Sequence, residues 1–170
     1  VMDGFQAKNP QWKVQVKYAG TAQLAATLME EGERSPADVF IGQDASTLAV
    51  LEGKNLFRPI PEKTTTAVAK GHSSAAGKWV GIAGRSRVLA YNTKKLKPAD
   101  LPANIDELTT AKWKGRVGWA PENASFQSFV AAMLQLRGPE KTKTWLKGMV
   151  ANSPKGFPSN TPAVMAISRG

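Results

Sequence analysis

The chain has 170 residues, 42% of them apolar and 21% charged, with a formal net charge of +10. That length suits one domain or two small lobes, and that composition excludes disorder as the state of the whole chain. No run of 18 apolar residues occurs, so no segment reads as a membrane-spanning helix. Without cysteine there are no disulfides, thiolate nucleophiles or cysteine-held metals.

In chain order, residues 2–8 read as a helix stopped by Asn9-Pro10. Residues 13–18 (KVQVKY) alternate with period two and predict a strand. Gly20-Thr21 opens a helix with Leu24, Ala25, Leu28 and Met29 on one face, ending near Gly32. Asp38–Ile41 predicts a short buried strand broken by Gly42, and a helix follows from about Ala45 to Glu52. The stretch 53–78 is rich in Gly, Pro, Thr and Lys and holds at most a short helix near 62–69. Trp79–Ala83 and Val88–Tyr91 read as β segments joined by Gly84-Arg85-Ser86-Arg87. Past the Pro-rich patch 98–102, Ile105–Thr110 reads as helical and Arg116–Trp119 as a short strand closed by Pro121. Helices are predicted at 124–137 and 139–150, parted by Gly138-Pro139, and a last one from Thr161 with Pro162 in its first turn.

This βαβα order argues for an α/β fold with mostly parallel strands, whose ligands bind beyond the carboxyl ends of strands near helix starts. Two places have that shape: Ile41-Gly42-Gln43-Asp44, and Trp119-Ala120-Pro121-Glu122-Asn123-Ala124-Ser125. The free N–H groups of a helix start attract anions, and a plain N-cap explains Asn123 or Ser125 equally well. The charge is uneven: residues 86–170 carry 13 basic and 5 acidic side chains, against 10 and 8 in residues 1–85. A basic half favours anionic partners such as a small oxyanion, an acidic protein face, lipid or nucleic acid. Arg85 and Arg87 stand one residue apart, so on a strand both face one side, where their forks suit carboxylate or phosphate.

Enzymatic constellations do not emerge. There is no GxxxxGK[ST] phosphate loop, no GxGxxG fingerprint and no GxSxG elbow, and a Ser–His pair would have to recruit the single histidine, His72, from a Gly/Ser loop. Glu30, Glu31 and Glu33, and Asp106 with Glu107, read as solvated carboxylates rather than an acid–base pair. The first residues lack the basic and apolar regions of a signal peptide, which leaves a cytosolic chain or an exported one whose signal has been removed.

Several stretches, in order along nearly the whole chain, resemble the ferric-iron-binding periplasmic proteins of bacterial ABC transporters. They are Gly32–Phe40 (GERSPADVF), Trp79–Asn92 (WVGIAGRSRVLAYN), Trp113–Gly118 (WKGRVG), Asn123–Gln127 (NASFQ), Trp145–Gly148 (WLKG) and Pro158–Ala163 (PSNTPA). The resemblance implies a type II periplasmic-binding fold, truncated here, of two α/β lobes. Residues 1–85 fall in the N-terminal lobe, without its first strand, and residues 86–170 in the second lobe, without its C-terminal part. It implies a non-enzymatic solute-binding protein, periplasmic or extracytoplasmic (a cell-surface lipoprotein in a Gram-positive host), that delivers Fe(III) to a membrane permease. Its lobes close around the iron and a synergistic anion such as phosphate or carbonate.

Carried over residue by residue, Asn123, Ala124 and Ser125 match the anion-holding helix start and Asn160 an anion-contacting asparagine, with Arg85 and Arg87 beside them. Gln43, with Asp44 next to it, stands where the family places a carboxylate metal ligand, and the tyrosine ligands are expected beyond Gly170. Tyr18 and Tyr91, the only tyrosines, lie far apart, and ferric iron favours hard phenolate oxygens, so this chain alone is expected not to hold iron tightly. The complete protein is expected to be a monomer; in a truncated form, exposed apolar edges favour a dimer. Two other readings stand beside the leading one: the same fold holding an oxyanion or small organic solute, and a basic nucleic-acid-binding domain. The second lacks a recognition helix or stacking platform.

Overall fold

The structure, a computed structural model, describes residues 2–170. Among these residues seven α-helices form where the sequence predicts or allows them: α1 Met2–Lys8, α2 Thr21–Glu31, α3 Ala45–Gly53, α4 Glu62–Thr65, α5 Ala124–Arg137, α6 Pro139–Ala151 and α7 Asn160–Arg169. Short 3₁₀ turns at Ile105–Thr109 and Ala111–Trp113 replace the predicted helix at 105–110. The last helix begins one residue before Thr161, with Ser159 as its N-cap.

Two apolar clusters organise the chain. In the first, Ala25 and Leu28 of α2 meet Leu51 of α3, with Phe40, Leu56 and Phe57 packed around them. Leu51 is fully buried. Trp79 Nε1 donates to Glu52 Oε2 at 2.9 Å and draws the 79–81 segment onto α3. In the second cluster, Phe126 and Met133 of α5 and Trp145 and Met149 of α6 pack over Leu108 and Trp113.

The α5–α6 hairpin turns at Gly138, whose φ of 80° closes α5 and whose successor Pro139 opens α6. Gly148 lets α6 approach the 105–109 turn: a Cβ there would lie 2.8 Å from Thr109 Cβ. Buried Asn152 locks the other end, with Nδ2 donating to the carbonyls of Leu108 (2.9 Å) and Thr110 (2.6 Å).

Among the described residues the regular β structure is one parallel pair, β1 Gly118–Trp119 with β2 Lys155–Gly156, in the register Gly118↔Lys155 and Trp119↔Gly156. The predicted strand 116–119 is thus shortened to its last two residues. At 79–83 there is only an isolated antiparallel bridge, Ser73↔Val80. The predicted strands 13–18, 38–41 and 88–91 form no ladder among the described residues. A strand exists only where a neighbour supplies donors and acceptors, and here none does. Phe40 packs into the first cluster, but other apolar side chains of these segments stand in solvent: Tyr18 is 84% exposed, Val39 78% and Val88 78%. At the start of the 13–18 segment one side chain takes the place of a strand, with Gln6 Oε1 accepting from Val14 N at 3.0 Å while Gln6 Nε2 donates to the Trp12 carbonyl.

Candidate anion-binding site

Two parallel strands point their carboxyl ends the same way. β1 runs through Ala120-Pro121-Glu122 into Asn123 and α5, and β2 runs through Phe157-Pro158-Ser159 into Asn160 and α7. Two helix starts are therefore set side by side at the sheet edge where α/β folds hold ligands. Lys155 N to Val117 O (2.8 Å) and Phe157 N to Trp119 O (2.9 Å) hold the register that places them. Gly118 is required for this pairing, because a Cβ on it would lie 2.9 Å from the Phe157 ring.

Asn123 is the N-cap of α5, and its Oδ1 accepts from Ser125 N at 3.0 Å and Ser125 Oγ at 2.6 Å. Ser125 Oγ in turn accepts from Asn160 Nδ2 at 3.1 Å and from Arg87 Nη2 at 3.2 Å. Three separate parts of the chain thus converge on one hydroxyl at the positive end of a 14-residue helix. Ala124, the first residue of α5, is buried beneath it.

Arg87 lies on aromatic rings, its guanidinium carbon 5.1 Å from the Phe129 centroid and 5.6 Å from that of Phe126. Among the described residues no carboxylate lies within ion-pair distance of it. Burial pulls its pKa below the ordinary arginine value, because desolvation penalises the charged form. It remains a cation at neutral pH and presents a charge without a carboxylate partner among the described residues. Edge-to-face contacts of Trp119 with Phe126 (5.4 Å) and of Phe129 with Trp145 (5.8 Å) tie this shelf to the core.

The structure therefore brings together Asn123, Ala124, Ser125, Asn160 and Arg87. Arg85 turns elsewhere, its Nη2 3.4 Å from the Gln43 carbonyl oxygen. Gln43 N donates to Thr21 Oγ1 at 3.2 Å, which seats this turn on the first residue of α2. Asp44 is the N-cap of α3: Oδ1 accepts from Thr47 N at 2.8 Å and Oδ2 from Thr47 Oγ1 at 3.0 Å. Both carboxylate oxygens are engaged in that cap. Among the described residues no group of three or more His, Asp or Glu side chains is placed to hold a metal ion. Sequence reasoning missed the shelf of Phe126 and Phe129, whose i, i+3 spacing at the start of a predicted helix puts two rings on one face.

The chain is a member of the bacterial extracellular solute-binding protein family, whose profile matches residues 34–158. Within that class it is similar to the Fe(3+)-binding periplasmic protein of Serratia marcescens, at 36% identity over 169 residues, covering 99% of this chain and 49% of that one. It is 40% identical over 160 residues to the major ferric iron-binding protein of Neisseria meningitidis serogroup B, covering 93% and 48%. Its structure superposes on iron-bound HitA from Pseudomonas aeruginosa with a TM-score of 0.93 and 36% identity, covering 99% of this chain and 54% of HitA. The α/β periplasmic-binding fold expected from the sequence is the fold of that neighbour. The chain spans about half the length of the relatives it matches.

Proposed function

We propose that this chain is part of the extracytoplasmic solute-binding component of a ferric-iron ABC importer, and that the cluster at the start of α5 holds the synergistic oxyanion. The observation that carries the reading is the convergence of Arg87 and Asn160 on Ser125 at a helix start, with Arg87 lacking a carboxylate partner among the described residues. A tetrahedral or planar oxyanion such as phosphate or carbonate suits these donors: one guanidinium fork, the Asn160 amide and the helix-start N–H groups. Such an anion offsets part of the charge of Fe(III). Gln43 offers a neutral oxygen beside the cleft, and phenolates beyond Gly170 supply the harder donors the ion prefers.

Residues 1–85 and 86–170 then belong to two lobes that close on the cargo, a division supported by the separate apolar clusters at 25–57 and 96–149. The protein works without catalysis, in the periplasm or, in a Gram-positive host, as a lipoprotein at the cell surface, and passes its cargo to a membrane permease. In a longer protein the exposed segments 13–18, 38–41 and 88–91 are covered within a monomer; in this chain alone they favour pairing of two copies.

A second reading keeps the fold and makes the oxyanion itself the cargo. The neutral Gln43 at this turn favours it, since an amide supplies no anionic oxygen to a ferric ion, while the neighbouring Asp44 carboxylate caps α3. Equilibrium dialysis of radiolabelled phosphate against the importer component of which this chain is part, with ferric citrate or with the same citrate without iron, separates the two. Ferric import predicts that iron raises the phosphate retained, because cation and anion neutralise each other in one site. Retention indifferent to iron contradicts it and supports the oxyanion cargo.

A further inference from the structure

The cluster around Ser125 follows the carboxyl ends of β1 and β2. At their amino ends the chain gathers cations of its own. Lys112, Lys114 and Arg116 lie in the turn before β1, and Lys155 opens β2; all four are exposed. The turn and the strand pair are tied together, because Gly115 N donates to the Asn152 carbonyl at 2.8 Å and Lys155 N to the Val117 carbonyl at 2.8 Å.

These cations are held by groups that leave their charge uncompensated. Lys112 Nζ stands 5.4 Å and the Arg116 guanidinium carbon 5.2 Å from the Trp113 ring centroid, and Lys155 Nζ stands 5.6 Å from that of Phe157. Arg116 Nη1 donates to the Lys112 carbonyl at 3.3 Å, and Lys112 Nζ to the Asp100 carbonyl at 3.0 Å. Among the described residues none of the four forms a salt bridge. The carboxylates nearest in sequence are engaged by other groups: Asp100 by Lys97 N, Asp106 by Arg137 and Glu107 by Ala103 N. Residues 108–170 hold nine basic side chains and two acidic ones, Glu122 just before the α5 cap and Glu140 in the first turn of α6.

We propose that this end of the strand pair docks on a membrane surface through anionic phospholipid headgroups. Interfaces between proteins are poor in lysine and rich in aromatic anchors, whereas here three of the four cations are lysines and Trp113 is buried. Flexible ammonium groups suit a fluid layer of phosphates, which presents no fixed shape to match. Docking by the amino ends leaves the carboxyl ends of the strands, where solutes bind in this class of fold, on the side away from the bilayer. The surface uses neither Arg87, Ser125 nor Asn160, so it stands or falls apart from the anion-site reading.

The test is co-sedimentation of the importer component of which this chain is part with vesicles of phosphatidylcholine, alone or mixed with phosphatidylglycerol. Thermal unfolding of each variant establishes that it is folded. The unaltered protein is expected to bind the mixed vesicles in preference to the neutral ones, and less as salt is raised. Each cation beside such a surface contributes about fivefold, so Lys114→Gln/Lys155→Gln is expected to bind the mixed vesicles about tenfold or more weakly. Lys63→Gln/Lys70→Gln removes the same charge from exposed sites at and beyond α4, and Arg87→Ala removes the anion-seat cation. Both are expected to bind within about twofold of the unaltered protein. Absence of binding to the mixed vesicles, or equal binding to both kinds, overturns the proposal. An equal loss in the two lysine pairs also overturns it, since net charge rather than this surface then sets the affinity. A loss of tenfold order in Arg87→Ala overturns it as well and places the headgroup phosphate at the start of α5.

Discussion

At the residue scale, one asparagine serves both folding and the site. Asn123 caps α5 through Ser125 N and orients the Ser125 hydroxyl through the same oxygen. Replacing it with alanine removes the cap and is expected to lower stability by about 1 kcal/mol, or a melting temperature lower by about 3 °C for a chain of this size. Asn123→Asp, which keeps the acceptor, is expected to restore most of that loss in the same thermal unfolding measurement. A melting temperature unmoved by Asn123→Ala would remove the cap from the account. The two candidate explanations of this position in the sequence, a plain N-cap and an anion contact, are not exclusive: the cap is in place, and it presents the next two residues to the site. Arg87 was legible as a fork suited to anions, but not its shelf, because cation–π contact depends on a helix packing 39 and 42 residues further along. Arg85 shared the same sequence signal and went to the Gln43 carbonyl instead. Neighbouring residues on an exposed segment follow whatever partner lies on their own side, and periodicity does not identify it.

At the scale of elements, the α-helices were legible apart from 105–110, and of the strands only the end of 116–119 was. A helix satisfies its own backbone within the segment, so the apolar spacing of α2, α5 and α6 and the Gly138-Pro139 punctuation sufficed to place them. A strand needs a partner elsewhere, and the alternating pattern of 13–18 or the apolar run 38–41 names none. The pair that does form, β1 with β2, joins residues 37 apart in sequence, and each strand is only two residues long. What sets its register is the ground around it: Asn152 ends α6 and ties the carbonyls of Leu108 and Thr110, and its own carbonyl accepts from Gly115 N at 2.8 Å just before β1. Asn152→Ala leaves two carbonyls without their donor and is expected to cost about 2 kcal/mol, lowering the melting temperature by roughly 6 °C. Because the same residue precedes β2, the variant is also expected to speed amide exchange at Lys155 and Phe157. Exchange there that matches the unaltered chain would uncouple Asn152 from the strand pair.

At the scale of the whole molecule, the basic excess and the proposed anion seat fall in the same part of the chain. Residues 86–170, with 13 basic side chains against 5 acidic, contain Arg87, Asn123, Ser125 and Asn160. A field of that sign raises the local concentration of small anions and weakens as salt screens it. The chain belongs to the bacterial extracellular solute-binding protein family and superposes on iron-bound HitA. The central claim is narrower: this arrangement binds an oxyanion through Arg87. It is tested most directly by calorimetric titration of inorganic phosphate into the unaltered chain and the Arg87→Ala variant, at low and at raised salt. The account predicts a saturable one-to-one heat for the unaltered chain, weaker at raised salt, and an affinity lower by about tenfold or more for Arg87→Ala. No saturable heat, or the same affinity in both proteins, would contradict it.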